Sequence, residues 1–210
     1  MKRVLALLLV SLLVVSLFAG CQPKETDPTG TAAPEETTAP VADPVTQVLK
    51  WNIGSDPKTI DPTLTGASDG GNVVNNTFEG LVREKSGVVH PGIAESWEVS
   101  EDGLTYTFKL RESKWSDGSP LTANDFVYSW KRGMDPATAS EYAWIWEYTN
   151  VVGAFEATSG ESLDAVGIKA IDDMTFEVKL STPTEYFVSL TSFYHFQPVK
   201  QSAVEAKADG

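Results

Sequence analysis

The only cysteine of this 210-residue chain is Cys21, so whatever folds after it must hold together without a disulfide or a thiolate-bound metal. The residues in front of it sharpen that constraint. Lys2 and Arg3 form a basic start, the run Val4 to Phe18 is apolar apart from Ser11 and Ser16, and Ala19-Gly20 leads into the cysteine. That is the layout of a secretory leader over residues 1–20. The run falls short of the roughly twenty apolar residues that a membrane span needs. The chain is therefore expected outside the cytoplasm, in an oxidising compartment, with apolar packing as its sole support. Nine Phe, six Trp and six Tyr supply the bulk for that packing.

Leu17-Phe18-Ala19-Gly20-Cys21 resembles the lipobox of bacterial lipoproteins, with Phe18 where a leucine is commonest. The resemblance implies that the Cys21 thiol is acylated and anchors the protein to the cell membrane, in a periplasmic space or at the cell surface. Residues 21–46 follow as a tether. Pro23, Pro28, Pro34, Pro40 and Pro44 stand among Thr, Ala, Glu and Asp with no aromatic residue. Such a stretch buries too little apolar area to offset the entropy of ordering it. Residues 47–210 then hold the folded body.

Charge narrows the partners. Without Lys2 and Arg3 the 16 basic residues become 14, against 29 acidic ones, a net charge near −15. A surface of that sign repels phosphate backbones and anionic headgroups, which excludes nucleic-acid binding and a polybasic membrane contact.

Periodicity gives a mixed α/β (α+β) body. Val48 to Ile53 reads as a short strand stopped by Gly54. A helix is expected from about Asp69 to Phe78, capped by Ser68 or Asp69. Leu104, Tyr106, Phe108 and Leu110 alternate with polar residues, a half-buried strand, and Asp102-Gly103 before it marks a hairpin with Gly92–Val99. Lys114 to Gly118 forms a turn. Thr122 caps a helix carrying Phe126 and Trp130 on one face, with Gly133 ending it. A second hairpin pairs Val166, Ile168 and Ala170 with Phe176, Val178 and Leu180 across Asp172-Asp173. Pro183 opens a last helix with Tyr186, Phe187 and Leu190, ended before Pro198. Tyr142, Trp144, Trp146 and Tyr148 alternate and could line a cleft, but core packing is the expectation for Trp97, Trp130, Trp144 and Trp146.

The case for catalysis is thin. Gly66-Ala67-Ser68-Asp69-Gly70 satisfies the G-x-S-x-G pattern of a nucleophile elbow, with His195 in the right chain order for its base. That elbow needs a buried strand ahead of the serine, and Asp61-Pro62-Thr63-Leu64-Thr65 is polar and broken by proline. His90 and His195 lack metal-ligand spacing. No cofactor, no metal and no enzymatic activity are expected.

A run of further words points elsewhere. Ala94-Glu95-Ser96-Trp97-Glu98-Val99 through Arg111, Lys114-Trp115-Ser116-Asp117-Gly118 through Trp130, and Asp135-Pro136-Ala137-Thr138-Ala139-Ser140-Glu141-Tyr142-Ala143 resemble the peptide and nickel-binding family 5 of extracytoplasmic solute-binding proteins, in its oligopeptide-binding branch. Ile60-Asp61-Pro62, Phe78-Glu79-Gly80-Leu81 and Val166 to Asp173 fall in the same order. The resemblance spans about Val48 to the C-terminus. It implies a periplasmic-binding-protein-like bilobed fold, of which this chain would hold only the N-terminal part. It also implies capture of extended oligopeptides through their main chain, and delivery to the permease subunits of an ABC importer by a monomeric receptor. By position, Thr65, Gly66, Ala67 and Ser68 would face the peptide backbone and Tyr142 would pack on the ligand. The chain is expected to be a fragment, lacking the lobe that closes over the guest. The same family with a dipeptide or metal chelate as ligand, and a secreted serine hydrolase using Ser68, stand as the alternatives.

Overall fold

The structure, a computed structural model, describes residues 47–206. The leader over residues 1–20, the lipidation site Cys21 and the tether over residues 21–46 lie outside the described residues.

The alternating apolar positions of the two hairpins build one antiparallel sheet. Its strands are β3 (Ala94–Val99), β4 (Thr105–Leu110), β7 (Ile168–Asp172) and β8 (Thr175–Lys179), in the order β3-β4-β8-β7. Before them come helix α1 (Ser68–Thr77) and the small hairpin β1 (Val82–Lys85) and β2 (Val88–Pro91). The Lys114–Gly118 turn joins two short strands, β5 (Ser113–Lys114) and β6 (Pro120–Leu121). The hairpins thus meet through β4 and β8, with Tyr106 opposite Val178 and Phe108 opposite Phe176. Those four side chains and Leu110 are buried on one face, while Thr107, Lys109 and Glu177 point the other way. A period-two pattern buries one face of a strand and wets the other.

Helix α2 (Ala123–Met134) covers the apolar face. Asp125 at its third position accepts the Thr122 backbone N–H at 2.7 Å, so the start written in the sequence is the start observed. Phe126, Trp130 and Met134, one helical turn apart, are fully buried. The Trp130 ring meets Phe176 edge-on at 5.0 Å and its indole N–H donates to the Phe196 carbonyl at 2.9 Å.

Gly133 does not end α2; the helix runs on to Met134. The glycine is there for packing: a Cβ at this position would stand 3.1 Å from Trp146 Nε1 and 3.2 Å from His195 Nε2. Both rings lie in the core, so the missing side chain is what lets them press against the helix.

Other expectations also change. Val48 to Ile53 forms no strand: Leu49 is 88% exposed, and among the described residues no neighbour pairs with its backbone. Apolar alternation makes a strand only where another strand takes up its N–H and C=O groups. Helix α1 is preceded by Ala67, with no side-chain cap from Ser68 or Asp69. The Asp69 carboxylate accepts instead from the Ser55 hydroxyl and from the Gly70 N–H, both at 2.7 Å, and that holds its pKa below the usual value.

The long helix after Pro183 shrinks to one turn, α4 (Phe187–Leu190), after the short α3 (Ala154–Thr158) earlier in the chain. Thr191 and Ser192 hydroxyls donate to the carbonyls three residues back, which competes with helix continuation. A tight turn at Tyr194–Phe196 follows, and α5 (Gln201–Glu205) lies beyond Pro198. Trp144 is not core; it is 53% exposed. Residues Ala143–Tyr148 form a 3₁₀ helix with three residues per turn. That places Trp146 inward and sets Trp144 and Glu147 together on the outer side. Among the described residues no helix is long and apolar enough to cross a membrane.

Candidate functional site

Two loops without regular structure are tied together by side chains from α2 and from one another. Arg132, in the last turn of α2, grips the Asp61 carboxylate with two parallel bonds of 3.0 and 2.9 Å. Both side chains are largely shielded from solvent, and the fork geometry fixes direction as well as distance. Asp61 in turn organises the segment after it. Its carboxylate accepts the Thr63 N–H and its carbonyl accepts the N–H groups of Leu64 and Thr65. From the other loop, the Ser140 hydroxyl donates to the Thr63 carbonyl at 2.6 Å.

This bracing decides how the four strip residues sit. Thr65 is buried, with its N–H committed to Asp61. Gly66 is half-buried, and Ala67 and Ser68 are exposed. Gly66 lies against the side chain of Glu141: a Cβ there would stand 1.9 Å from Glu141 Oε2, so a larger residue would displace it. The Ala67 carbonyl accepts from Gly71 as α1 begins. Among the described residues, the N–H and C=O of Gly66 and the N–H of Ala67 have no partner. Half-exposed main-chain groups in that state are what a guest strand can pair with.

One residue beyond Glu141, Tyr142 turns toward a groove of about 710 Å³. Asn75, Glu84, Trp144, Tyr186 and Tyr194 also line it. The Tyr142 ring stands edge-on to Phe193 at 5.0 Å and close to Tyr194 at 5.9 Å. Burial, and then the neighbouring Tyr142 phenol, raise the pKa of Tyr194 well above the ordinary tyrosine value. Beneath them lies His195, whose Nε2 accepts the Trp146 indole N–H at 3.2 Å.

The structure therefore brings Gly66 against Glu141, the residue before Tyr142, while the strip itself does not line the groove. Asn75, Glu84, Tyr186 and Tyr194 are groove residues that the sequence does not single out, whereas Trp144 belongs to the aromatic alternation that could line a cleft. The sequence puts Tyr186 in a helix, and core packing is the expectation for Trp144, which is exposed. Only their lack of a periodic partner could have marked them. Ser68 stands exposed on the first turn of α1, and His195, the base that a hydrolase would require, is 1% exposed and engaged with Trp146. No group of three His, Cys, Asp or Glu side chains among the described residues is placed to hold a metal ion.

A family profile, relatives and solved structures match this chain. The profile described as bacterial extracellular solute-binding proteins, family 5 Middle, matches residues 88–210. The oligopeptide-binding protein OppA of Bacillus subtilis (strain 168) is 43% identical over 160 residues, covering 75% of this chain and 29% of that protein. A dipeptide-binding protein of Lactococcus lactis subsp. cremoris (strain MG1363) is also 43% identical over 160 residues, again 75% of this chain and 29% of that protein. Among solved structures, Haemophilus influenzae OppA in complex with RPPGFSPFR superposes with a TM-score of 0.72 at 42% identity. That match covers 75% of this chain and 31% of the other. This chain spans about 30% of the length of the relatives it matches.

Proposed function

We propose, since this chain belongs to family 5 of the bacterial extracellular solute-binding proteins, that it supplies one wall of the ligand site of an oligopeptide receptor serving an ABC importer. The observation that carries the reading is the unpartnered main chain of Gly66 and Ala67, held against the Glu141 side chain, whose chain neighbour Tyr142 faces the groove. A guest peptide adding its backbone there gains affinity without any demand on its side chains. Ser68, the next residue, extends the strip onto the exposed start of α1. Thr65 acts from beneath, holding the strip through its bond to Asp61. Relatives named for oligopeptide binding, and one solved with a peptide bound, support a peptide as the ligand.

Calorimetry on a receptor of full family length carrying this sequence tests the proposal. Pools of tri- to pentapeptides should release heat and, at about a hundred times Kd, stabilise the fold by roughly 2.7 kcal/mol. Tyr142→Ala should weaken those peptides about tenfold, the range of one aromatic contact. Heat from dipeptides or metal chelates alone would move the function to those solutes. Silence with every peptide pool would end the proposal.

The leader and Cys21 support a receptor held at the outer face of the membrane by lipid, and in this role it works as a monomer that hands its cargo to the permease subunits. An acyl chain contributes about 0.8 kcal/mol per buried methylene, so loss of the acylated thiol should be decisive. On fractionation of expressing cells, the wild-type protein should sediment with membranes and Cys21→Ser should move to the soluble fraction. Equal partition of the two forms would rule the anchor out.

A further inference from the structure

We propose that the groove holds a subsite for one lysine or arginine side chain of the bound peptide, built by Trp144, Tyr142 and Tyr186 with Glu84. The inference rests on the peptide-receptor reading above and adds the ligand chemistry that reading leaves open.

The first observation is three aromatic rings turned to a groove. Trp144 and Tyr186 are both about half exposed, at 53% and 52%. Their positions are nevertheless held. Trp144 meets Tyr148 edge-on at 5.8 Å, the Tyr186 hydroxyl donates to the Tyr148 carbonyl at 3.0 Å, and Tyr142 rests on Phe193. Rings fixed in advance lose little freedom when a guest arrives. Their faces carry partial negative charge and attract cations.

The second observation is independent of the first. Glu84 lines the same groove, and among the described residues its carboxylate has only neutral partners, the Gly87 N–H at 3.2 Å and the Ser189 hydroxyl at 3.4 Å. The adjacent Arg83 is already committed to Glu79 at 2.5 Å and to the carbonyls of Asn75 and Phe78. Among the described residues no lysine or arginine lines the groove. The excess of acidic residues over the whole chain adds to the same field.

These two facts separate a basic guest from an apolar one. An apolar side chain would cover the rings but strip water from Glu84 without replacing it, which is costly for a carboxylate. Lysine and arginine carry an aliphatic stem to lie along the rings and a cation to answer Glu84. One side chain then satisfies both halves of the groove.

The test is a scan of a tetrapeptide in which each position is in turn alanine, norleucine or lysine, titrated into the full-length receptor. At one position lysine should bind about tenfold more tightly than norleucine, its uncharged analogue of similar shape. Glu84→Gln should bring that ratio toward one, and Trp144→Ala should lower the lysine affinity. If norleucine equals or exceeds lysine at every position, or if Glu84→Gln leaves the ratio intact, the subsite is overturned while peptide binding stands. Failure of every peptide to bind would instead remove the receptor reading, and this inference with it.

Discussion

Trp130→Ala is expected to lower the stability of the fold by about 3–5 kcal/mol, measured as the shift in urea unfolding free energy. The residue is fully buried at the junction of α2 with the sheet. Its ring touches Phe176 on β8, Trp146 at 5.3 Å on the 3₁₀ helix, and Phe196 at 5.5 Å near the C-terminal end. Truncation empties a space lined from several segments at once, which cannot close without moving the sheet. It also strands the Phe196 carbonyl that the indole N–H now serves. Trp130→Phe should lose less, since a ring remains and only the hydrogen bond goes. Domains are stable by only about 5–15 kcal/mol, so the alanine variant should approach unfolding at ambient temperature. A shift under about 1 kcal/mol would mean that α2 does not seal the sheet as described.

Acid should weaken the fold through His195. Burial, above all, and to a smaller degree the nearby Arg132 cation lower its pKa from 6.5 to about 4, with the Asp61 carboxylate opposing them. The ring receives a bond from Trp146, and its Nδ1 is buried without a partner among the described residues. In the unfolded chain the same imidazole binds a proton near pH 6.5. Above that pH it is neutral in both states and stability is unaffected. As pH falls from 6.5 toward 4 the unfolded state gains a proton that the folded state refuses, so stability declines, levelling off below about 4. A depression of this size corresponds to about 3 kcal/mol. Thermal melts between pH 7.5 and 4.5 should show that loss, and His195→Gln should flatten it, whatever its stability at neutral pH. An unchanged slope in the variant would assign the effect to other groups. Because the Tyr142 ring lies 6.2 Å from that of His195, the same acidification should loosen the groove.

Both expectations rest on side chains whose burial the sequence announced unevenly. The hairpins were legible because Tyr106, Phe108, Phe176 and Val178 follow a local period of two that the sheet preserves. Helix α2 was legible because Thr122 and Asp125 write its start. Where the signal needed a distant partner, reading failed. Val48 to Ile53 has the alternation of a strand and no neighbour among the described residues. Gly133 looked like a stop and serves two rings that come from residues 13 and 62 positions later in the chain. The aromatic alternation makes Tyr142 a cleft candidate, and only the resemblance separates it from its neighbours. The groove around it joins residues from Asn75 to Tyr194, and no local pattern encodes such a meeting. Trp144 was misjudged because bulk suggests burial, whereas a 3₁₀ turn sets the direction.

The most direct test of the account is a crystal structure of the full-length receptor with a peptide bound. The account predicts an extended ligand whose main chain pairs with Gly66 and Ala67, with the Tyr142 ring in van der Waals contact with it. Ligand density remote from both, with Gly66 and Ala67 still unpaired, would contradict it.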